Sequence, residues 1–224
     1  MATVGIETAY LALLDQNQKL LTAQSGLSQN GILEIDKTYL GVAKADIKDL
    51  NGKFTSICGN NEIMDQYEEP SNPSISLTIN NLTKDIIDKL VGNVALSGGL
   101  GMTPGVLKPY VGLVLAAPTY AAAGNKSGVI YYAFGAGHVG FDNLNMESNT
   151  ETKKNIAFDT LTYSALSYSG FNGNKYATFD SNDSNFSLDK MFQTIWPDYA
   201  GTMTAPPVNT GLASQASSAA SAAH

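Results

Sequence analysis

Two hydrophobic periods follow one another without a gap between residues 74 and 92. Over residues 74–80, polar and apolar residues alternate at every step, which is typical of a half-buried strand. The inner face of this strand would carry Ile75, Leu77 and Ile79. From residue 82 the apolar positions recur at helical spacing, which predicts a short amphipathic helix capped by an asparagine or Thr83 and ended by Gly92. A helix of about ten residues is marginal alone, so we expect it to lie across a sheet.

Other apolar runs predict further strands, at residues 9–14, 32–39, 110–117, 128–134 and 155–168. We expect the first two to form an antiparallel arm. The third and fourth are continuous apolar runs, so we expect a buried hairpin with a long tip. The last run is the longest strand candidate, and its alternation slips by one residue near Asp159, as a β-bulge would make it.

Residues 187–196 predict a second short helix. Its apolar positions follow the helical i, i+3, i+4, i+7 spacing and are Leu188, Met191, Phe192 and Ile195. Ser187 can cap this helix, and Pro197 ends it. Together these elements predict a mainly β fold with one helix laid on the sheet and a short C-terminal helix.

Residues 41–72 differ from the rest of the chain, because they hold only isolated apolar residues and two turn signals, at Asn51-Gly52 and Gly59-Asn60-Asn61. A connection of this length inside a compact domain is usually functional or mobile. We predict a long projecting loop in which strand is confined to roughly residues 53–57. The charged residues singled out in this loop are Asp46, Asp49, Lys53, Glu62, Asp65, Glu68 and Glu69.

The chain of 224 residues is long enough for one domain with a buried core, which we place at residues 1–200. Residues 201–224 contain almost no large apolar side chain, so we expect a disordered Ala/Ser tail. The first residues lack a basic region followed by an apolar run, so we expect no signal peptide and synthesis in a cytoplasm. The weakly polar run at residues 94–124 is too rich in glycine and proline for a membrane-spanning helix.

The net charge is −7, and all 13 basic residues are lysines. Arginine is the side chain best suited to bidentate contact with phosphate and guanine, and its absence excludes a sequence-specific DNA reader. An acidic surface repels the DNA backbone over about 10 Å at moderate salt. Such a surface would suit a protein past which DNA moves without sticking.

Two motifs that could carry chemistry lack the context they need. The stretch from Gly135 to Gly140 matches the dinucleotide pattern G-x-G-x-x-G, but no helical period follows it, so we interpret it as a loop with an ordinary His138. Residues 180–191 resemble a calcium loop but lack its glycine and its glutamate. They favour a turn and a helix cap instead.

The remaining reactive side chains also favour structural roles. Cys58 is the single cysteine, which excludes an intrachain disulfide, and we expect it to be a small apolar filler. Glu68 and Glu69 lie in a polar segment, where a solvated surface is expected rather than acid–base catalysis. We expect no enzyme, no cofactor and no metal site.

Several blocks of residues occur in a recognisable order. They are Gly59-Asn60-Asn61 before an acidic stretch, residues 74–82 running into 85–92, Pro109-Tyr110-Val111, residues 129–134, and Glu151-Thr152-Lys153 before residues 156–162. In combination they resemble the major tail protein, or tail tube protein, of long non-contractile-tailed phages (siphophages) of Gram-positive bacteria. The resemblance covers residues 1–200 and departs from the family at the Ala- and Gly-rich tip at residues 116–128.

The resemblance implies two packed β-sheets with a flanking helix, in a structural virion protein without enzymatic activity. It implies hexameric rings that stack into a hollow tail tube, in which each subunit lends strands to a shared inner barrel. DNA would pass through the lumen to the host without sequence-specific binding. The other partners would be the tape measure, tail terminator and distal tail proteins, with assembly in the host cytoplasm.

Two hypotheses and one alternative follow. We expect residues 41–72, with the seven charged residues named above, to make contacts between rings, because the segment is long and polar. We expect acidic residues to line the lumen, because the chain is acidic and lacks arginine. The alternative is a carbohydrate-binding or adhesion β-sandwich of a tail tip or cell surface, which exposed aromatic platforms beside polar loops would favour.

Overall fold

A computed structural model describes residues 2–3, 5–96, 99–101, 107–121, 124–143 and 159–203. Within these residues the chain is mainly β, with one large antiparallel sheet, two two-stranded sheets and two short α-helices, which confirms the predicted fold class. The strands are β1 (Ala2–Thr3), β2 (Thr8–Leu14), β3 (Ile32–Glu34), β4 (Val42–Lys48), β5 (Phe54–Gly59), β6 (Glu62–Glu68), β7 (Ser74–Ile79), β8 (Val94–Leu96), β9 (Gly99–Gly101), β10 (Tyr110–Tyr120), β11 (Lys126–Asn143), β12 (Asp159–Leu166) and β13 (Ala177–Asp180). The helices are α1 (Lys84–Val91) and α2 (Leu188–Ile195), with 3₁₀ turns at Ala23–Ser25, Lys37–Tyr39 and Ser169–Phe171.

The large sheet folds over on itself along β11. Its main path runs β3-β2-β10-β11-β12-β7-β4, with β1 added to β10 and β13 added to β11. β11 is 18 residues long, and its first half pairs with β10 while its second half pairs with β12. Inner side chains of β2 and β10 therefore share one core with those of β7 and β12. This inner core includes the fully buried Leu11, Leu77, Leu113 and Leu161.

Helix α1 closes one end of the inner core. β7 has the predicted alternating burial, and Leu90 and Val91 of the helix are buried against the sheet, as the two periods predicted. Gly92 ends the helix in the left-handed conformation, with φ of 79°. The predicted side-chain cap is wrong, because Thr83 makes no capping hydrogen bond.

Helix α2 covers the outer face of β2, β10 and β11 and forms with them a second core, the outer core. The four residues of its predicted apolar stripe are buried, and Ser187 caps it by accepting a hydrogen bond from the Lys190 amide at 3.2 Å. Trp196 follows the helix and lies directly over Gly112, where an added Cβ would come within 2.1 Å of the indole ring. The close approach of the helix to β10 therefore requires glycine at position 112.

The glycine motif lies inside a strand, which corrects the predicted loop. Gly135 to Gly140 belongs to β11, and a Cβ on Gly137 would approach the Tyr163 ring to 2.4 Å. The ring instead packs against this bare backbone, and its hydroxyl donates to the Val111 carbonyl at 3.0 Å. The glycines thus leave room for aromatic rings against the strand, and the motif continues as strand to Asn143 rather than opening directly into the helix that a dinucleotide loop needs.

Three other strand predictions need correction. β2 and β3 pair antiparallel as expected, but β2 is wholly buried in the sheet and forms no arm. β11, rather than the predicted strand at residues 155–168, is the longest strand of the described part of the chain. β12 pairs with β7 in regular register from Asp159 to Ser164, and the register shift near Thr160 lies in its pairing with β11, where β11 rather than β12 holds the extra residue. Residues 155–158 lie outside the described residues.

The carboxyl end of the described chain reaches the outer core. The Met203 amide donates to Asp189 Oδ1 at 2.7 Å, and the Met203 side chain packs against the outer core. The rest of the predicted tail, residues 204–224, lies outside the described residues.

Candidate functional site

The strongest candidate site is a hairpin that leaves the sheet between β4 and β7. Residues 41–72 were predicted to be a loop, but they contain β4 and a β-hairpin made of β5 and β6. β4 and β7 pair with each other, and the ribbon turns at Asp49, whose φ is 55°, before continuing as β5 and β6. In the described part of the chain, β5 and β6 pair only with each other. The segment projects from the body, as predicted, but as regular β-structure about 20 Å long.

The local sequence explains the hairpin. Asn60 and Asn61 form its two-residue turn and both have positive φ, of 50° and 66°. Such a turn matches the right-handed twist of the flanking strands, and asparagine tolerates this conformation better than most residues. Met64 is the extra residue of a bulge, since Ile57 pairs with Asp65 while Cys58 pairs with Ile63. A bulge increases the local twist, which sets the tip at an angle to the base.

Hydrogen bonds hold the base of the hairpin together. The Glu69 amide donates to the Lys53 carbonyl at 2.9 Å, which brings the two ends of the hairpin side by side. Glu68 Oε1 accepts a hydrogen bond from the Gly52 amide at 2.9 Å, and Glu69 Oε1 accepts one from the Thr55 hydroxyl at 2.7 Å. Glu68 and Glu69 therefore support the ribbon, in addition to facing solvent.

The hairpin exposes an unusual number of large apolar side chains. Five of the eight large hydrophobic residues that are exposed in the described chain lie on it. They are Phe54, Ile57, Ile63, Met64 and Tyr67, with 49% to 67% of each residue exposed. Register places Phe54 and Ile63 on one face, and Ile57 and Tyr67 on the other. A two-stranded hairpin in water is marginal alone, so both faces are suited to a partner.

Of the seven charged residues predicted as contacts, two lie before the hairpin and five lie on it or at its base. Asp46 lies on β4 in the body of the sheet and pairs with Lys44 at 2.5 Å. Asp49 lies at the turn of the ribbon. Lys53, Glu62, Asp65, Glu68 and Glu69 all lie on the hairpin or at its base and are exposed. Residues 53–69 therefore hold one lysine and four carboxylates, a net charge of −3.

The apolar residues of the hairpin were missed from the sequence, where only the charges were singled out. A signal was present: two runs with β-forming residues, 54–58 and 63–67, flank the Gly-Asn-Asn turn. Cys58 was expected to be buried filler, but it is exposed on β5. An isolated hairpin has no interior, so a residue on it cannot fill a core.

The residues weighed for catalysis or metal binding have structural roles. His138 lies on β11, stacks on Tyr110 at 5.1 Å between ring centroids, and has its Nδ1 3.1 Å from the Pro109 carbonyl. Asp180 and Asp183 accept hydrogen bonds from the amides two residues on, at 2.9 and 3.0 Å, which confirms the predicted turn. No cluster of three or more potential metal ligands occurs among the residues the structure describes.

A comparison with protein families identifies the family of the chain. The family model for the phage tail tube protein matches residues 1–204. The chain belongs to the phage tail tube protein family. This tail tube protein is accordingly a structural component of a phage tail rather than an enzyme, and it assembles with itself and with other tail proteins. No curated protein matches the chain.

The two helices of the described chain have eight residues each, too few to cross a membrane.

Proposed function

We propose that this tail tube protein forms hexameric rings that stack into the hollow tube of a siphophage tail, and that its hairpin makes the contact between rings. The observation that carries the proposal is the hairpin itself, which exposes Phe54, Ile57 and Tyr67 in a protein whose family builds tubes. Exposed apolar groups of this size are costly in a solitary soluble protein. Burial against another copy would remove them from water.

A contact in which the hairpin of one copy meets a different surface of another copy fits a tube. A contact between two different surfaces of identical copies repeats without limit unless it closes into a ring. Ring closure would use one pair of complementary surfaces, and stacking would use a second pair. The hairpin projects away from the body, so it suits the second. Within it, the apolar side chains supply the contact, while Glu62 and Asp65 lie near the tip where their charges set its orientation.

The charge of the chain fits the passage of DNA through such a tube. The net charge is −7 and arginine is absent, so the acidic residues that we propose for the lumen would repel the phosphate backbone. DNA would then reach the host without being held. The tape measure protein would occupy the same lumen before DNA, and the tail terminator and distal tail proteins would close the two ends, after assembly in the host cytoplasm.

Aromatic side chains favour assembly over carbohydrate binding. In the described chain, Phe54 and Tyr67 are the large exposed aromatic residues, and both lie on the hairpin rather than beside a polar pocket. Sugar recognition usually needs a concave site with polar groups that fix orientation. The projecting hairpin offers a convex surface instead.

Removing the hairpin tests the proposal. Lys53 and Glu69 are already hydrogen-bonded neighbours, so an Asn-Gly turn can replace residues 54–68 without moving β4 or β7. The intact chain should form tubes in negative-stain electron microscopy, and the shortened chain should give only rings or monomers. A chain with Ser56→Ala, which keeps the hairpin, is the control. Normal tubes from the shortened chain would refute the role of the hairpin.

A further inference from the structure

An open cleft lies beside β4, at the edge of the large sheet. β4 is the last strand on the main path of the large sheet, so in the described chain one of its edges has no partner strand. Residues 43–47 line a cleft of about 380 Å³ along this strand. Both inward and outward residues of β4 reach the cleft, which places the cleft at the edge of the sheet rather than over one face.

The opposite wall of the cleft is apolar. It is formed by Ile6, Leu115, Ala117 and Tyr132, and Ile47 of β4 completes the apolar lining. Neighbouring Gly5 has open space where a Cβ would be, so nothing from the described chain covers the entrance there. A strand laid along this edge could pair with the backbone of β4 and direct alternate side chains into the cleft.

The charge on β4 is opposite to the charge on the hairpin. Lys44 and Asp46 line the cleft and form an ion pair with each other, and the exposed Lys48 lies at the end of the strand, so these three residues carry a net charge of +1. The hairpin segment carries −3 and presents apolar side chains on both faces. The two surfaces are therefore complementary in both polarity and charge, and each lacks a partner in the described part of a single copy.

We propose that the hairpin of one copy lies along the β4 cleft of the next copy, with one hairpin strand paired to the open edge of β4 and its apolar side chains in the cleft. This inference rests on the proposed stacking of rings and names the surface that receives the hairpin. Because hairpin and cleft are different parts of the same chain, the contact repeats from copy to copy. It also covers a sheet edge that would otherwise invite uncontrolled pairing.

Disulfide trapping tests the inference, because Cys58 on the hairpin is the single cysteine of the chain. Ala43 is exposed and lines the cleft, so Ala43→Cys adds a partner thiol without disturbing a core. If the hairpin lies in the cleft, mild oxidation of assembled tubes should give a ladder of linked chains on a non-reducing gel. A disulfide needs Cα atoms within about 7 Å, so the ladder reports direct proximity.

Matched variants make the result specific. Adding Cys58→Ser to Ala43→Cys should abolish the ladder, because the hairpin then has no thiol. Ser184 is exposed but lies outside the cleft, so a chain with Ser184→Cys instead of Ala43→Cys should give no ladder. The other face of the hairpin is tested by Asp65→Cys together with Ala43→Cys and Cys58→Ser. Tubes that give no ladder from either hairpin face, or that give an equal ladder with Ser184→Cys, would overturn the inference and leave the proposed function intact. Failure of the unmodified chain to assemble would overturn both.

Discussion

At the scale of single residues, Asp88 is the buried charged side chain of the described chain, with 7% of its surface exposed. Lys84 Nζ lies 2.5 Å from one carboxylate oxygen, and Asn93 Nδ2 donates to the other at 2.6 Å. Hydrogen bonds from Lys84 and then Asn93 lower the pKa of Asp88, against the opposing effect of burial. The carboxylate thereby joins the body of α1 to the residue that follows its terminal glycine.

Asp88→Asn should destabilise the protein at neutral pH. Losing hydrogen bonds to a buried charge costs about 1.5–3 kcal/mol. Because the pKa of Asp88 is lowered on folding, its contribution is present above the unfolded pKa of about 3.9 and is lost as pH falls through the folded pKa. The difference between the two chains in the free energy of urea unfolding, followed by fluorescence of the single Trp196, should therefore be large at pH 7 and should shrink as the pH falls below about 3.9.

Asp85→Asn provides the matched comparison for this prediction. Asp85 lies on the same helix but is exposed, so its replacement should cost less than about 1 kcal/mol through the helix dipole. Equal losses for Asp85→Asn and Asp88→Asn at pH 7 would show that the buried network adds nothing.

At the scale of elements, the sequence predicts the strands and helices that bury one face, because that face shows in the local hydrophobic pattern. β7, α1 and α2 were predictable because each has one buried face. The apolar residues of that face recur along the sequence at the spacing of a strand or of a helix. The hairpin was not, because its two strands bury neither face in a single copy and its apolar residues fall on both sides. β11 was misjudged because its glycines suggest a loop until Tyr163 is placed against them.

Asn60→Pro should disable the hairpin without unfolding the body. Proline fixes φ near −65°, whereas Asn60 has φ of 50°, so the two-residue turn cannot form. No hairpin side chain belongs to either described core, so the free energy of unfolding measured in urea should change by less than about 0.5 kcal/mol. Tubes should be lost or much reduced in electron micrographs.

Asn61→Gly is the control for the turn, because glycine adopts the φ of 66° seen at this position without strain. Tubes should form as in the unmodified chain. Abundant tubes from Asn60→Pro would mean that the assembled form does not depend on the shape of this turn.

At the scale of the whole molecule, the fold depends on contacts that no local pattern contains. The sheet folds over because β11 changes partner part-way along, from β10 to β12. The Tyr163 hydroxyl on β12 reaches the Val111 carbonyl on β10 across 52 residues of sequence. Hydrophobic periodicity gives each strand its buried face but not its neighbour, so the order of strands, the β4 cleft and the position of the hairpin emerge only from the folded chain.

Salt dependence of assembly follows from two opposing charge effects at this scale. Each copy carries −7, so copies repel one another, while in the proposed contact Lys44 and Lys48 would attract the hairpin locally. At about 0.01 M salt the Debye length is about 30 Å, longer than the hairpin, and whole copies feel the repulsion. At about 0.15 M it is about 8 Å, which removes most of the repulsion. The exposed local ion pairs are worth about 1 kcal/mol or less each, so salt removes less attraction than repulsion. Apolar contacts are not screened by salt.

Raising NaCl from about 0.01 to 0.3 M should therefore increase the fraction of chain that sediments as tubes, since the Debye length falls severalfold over this range. The chain that lacks residues 54–68 should remain in the supernatant throughout, which separates specific assembly from salting-out. If instead the tubes dissolve as salt rises, the local charge pairs outweigh the mutual repulsion of the copies. The contact would then be chiefly electrostatic, and the exposed Ile57, Met64 and Tyr67 would not be what holds one copy to the next.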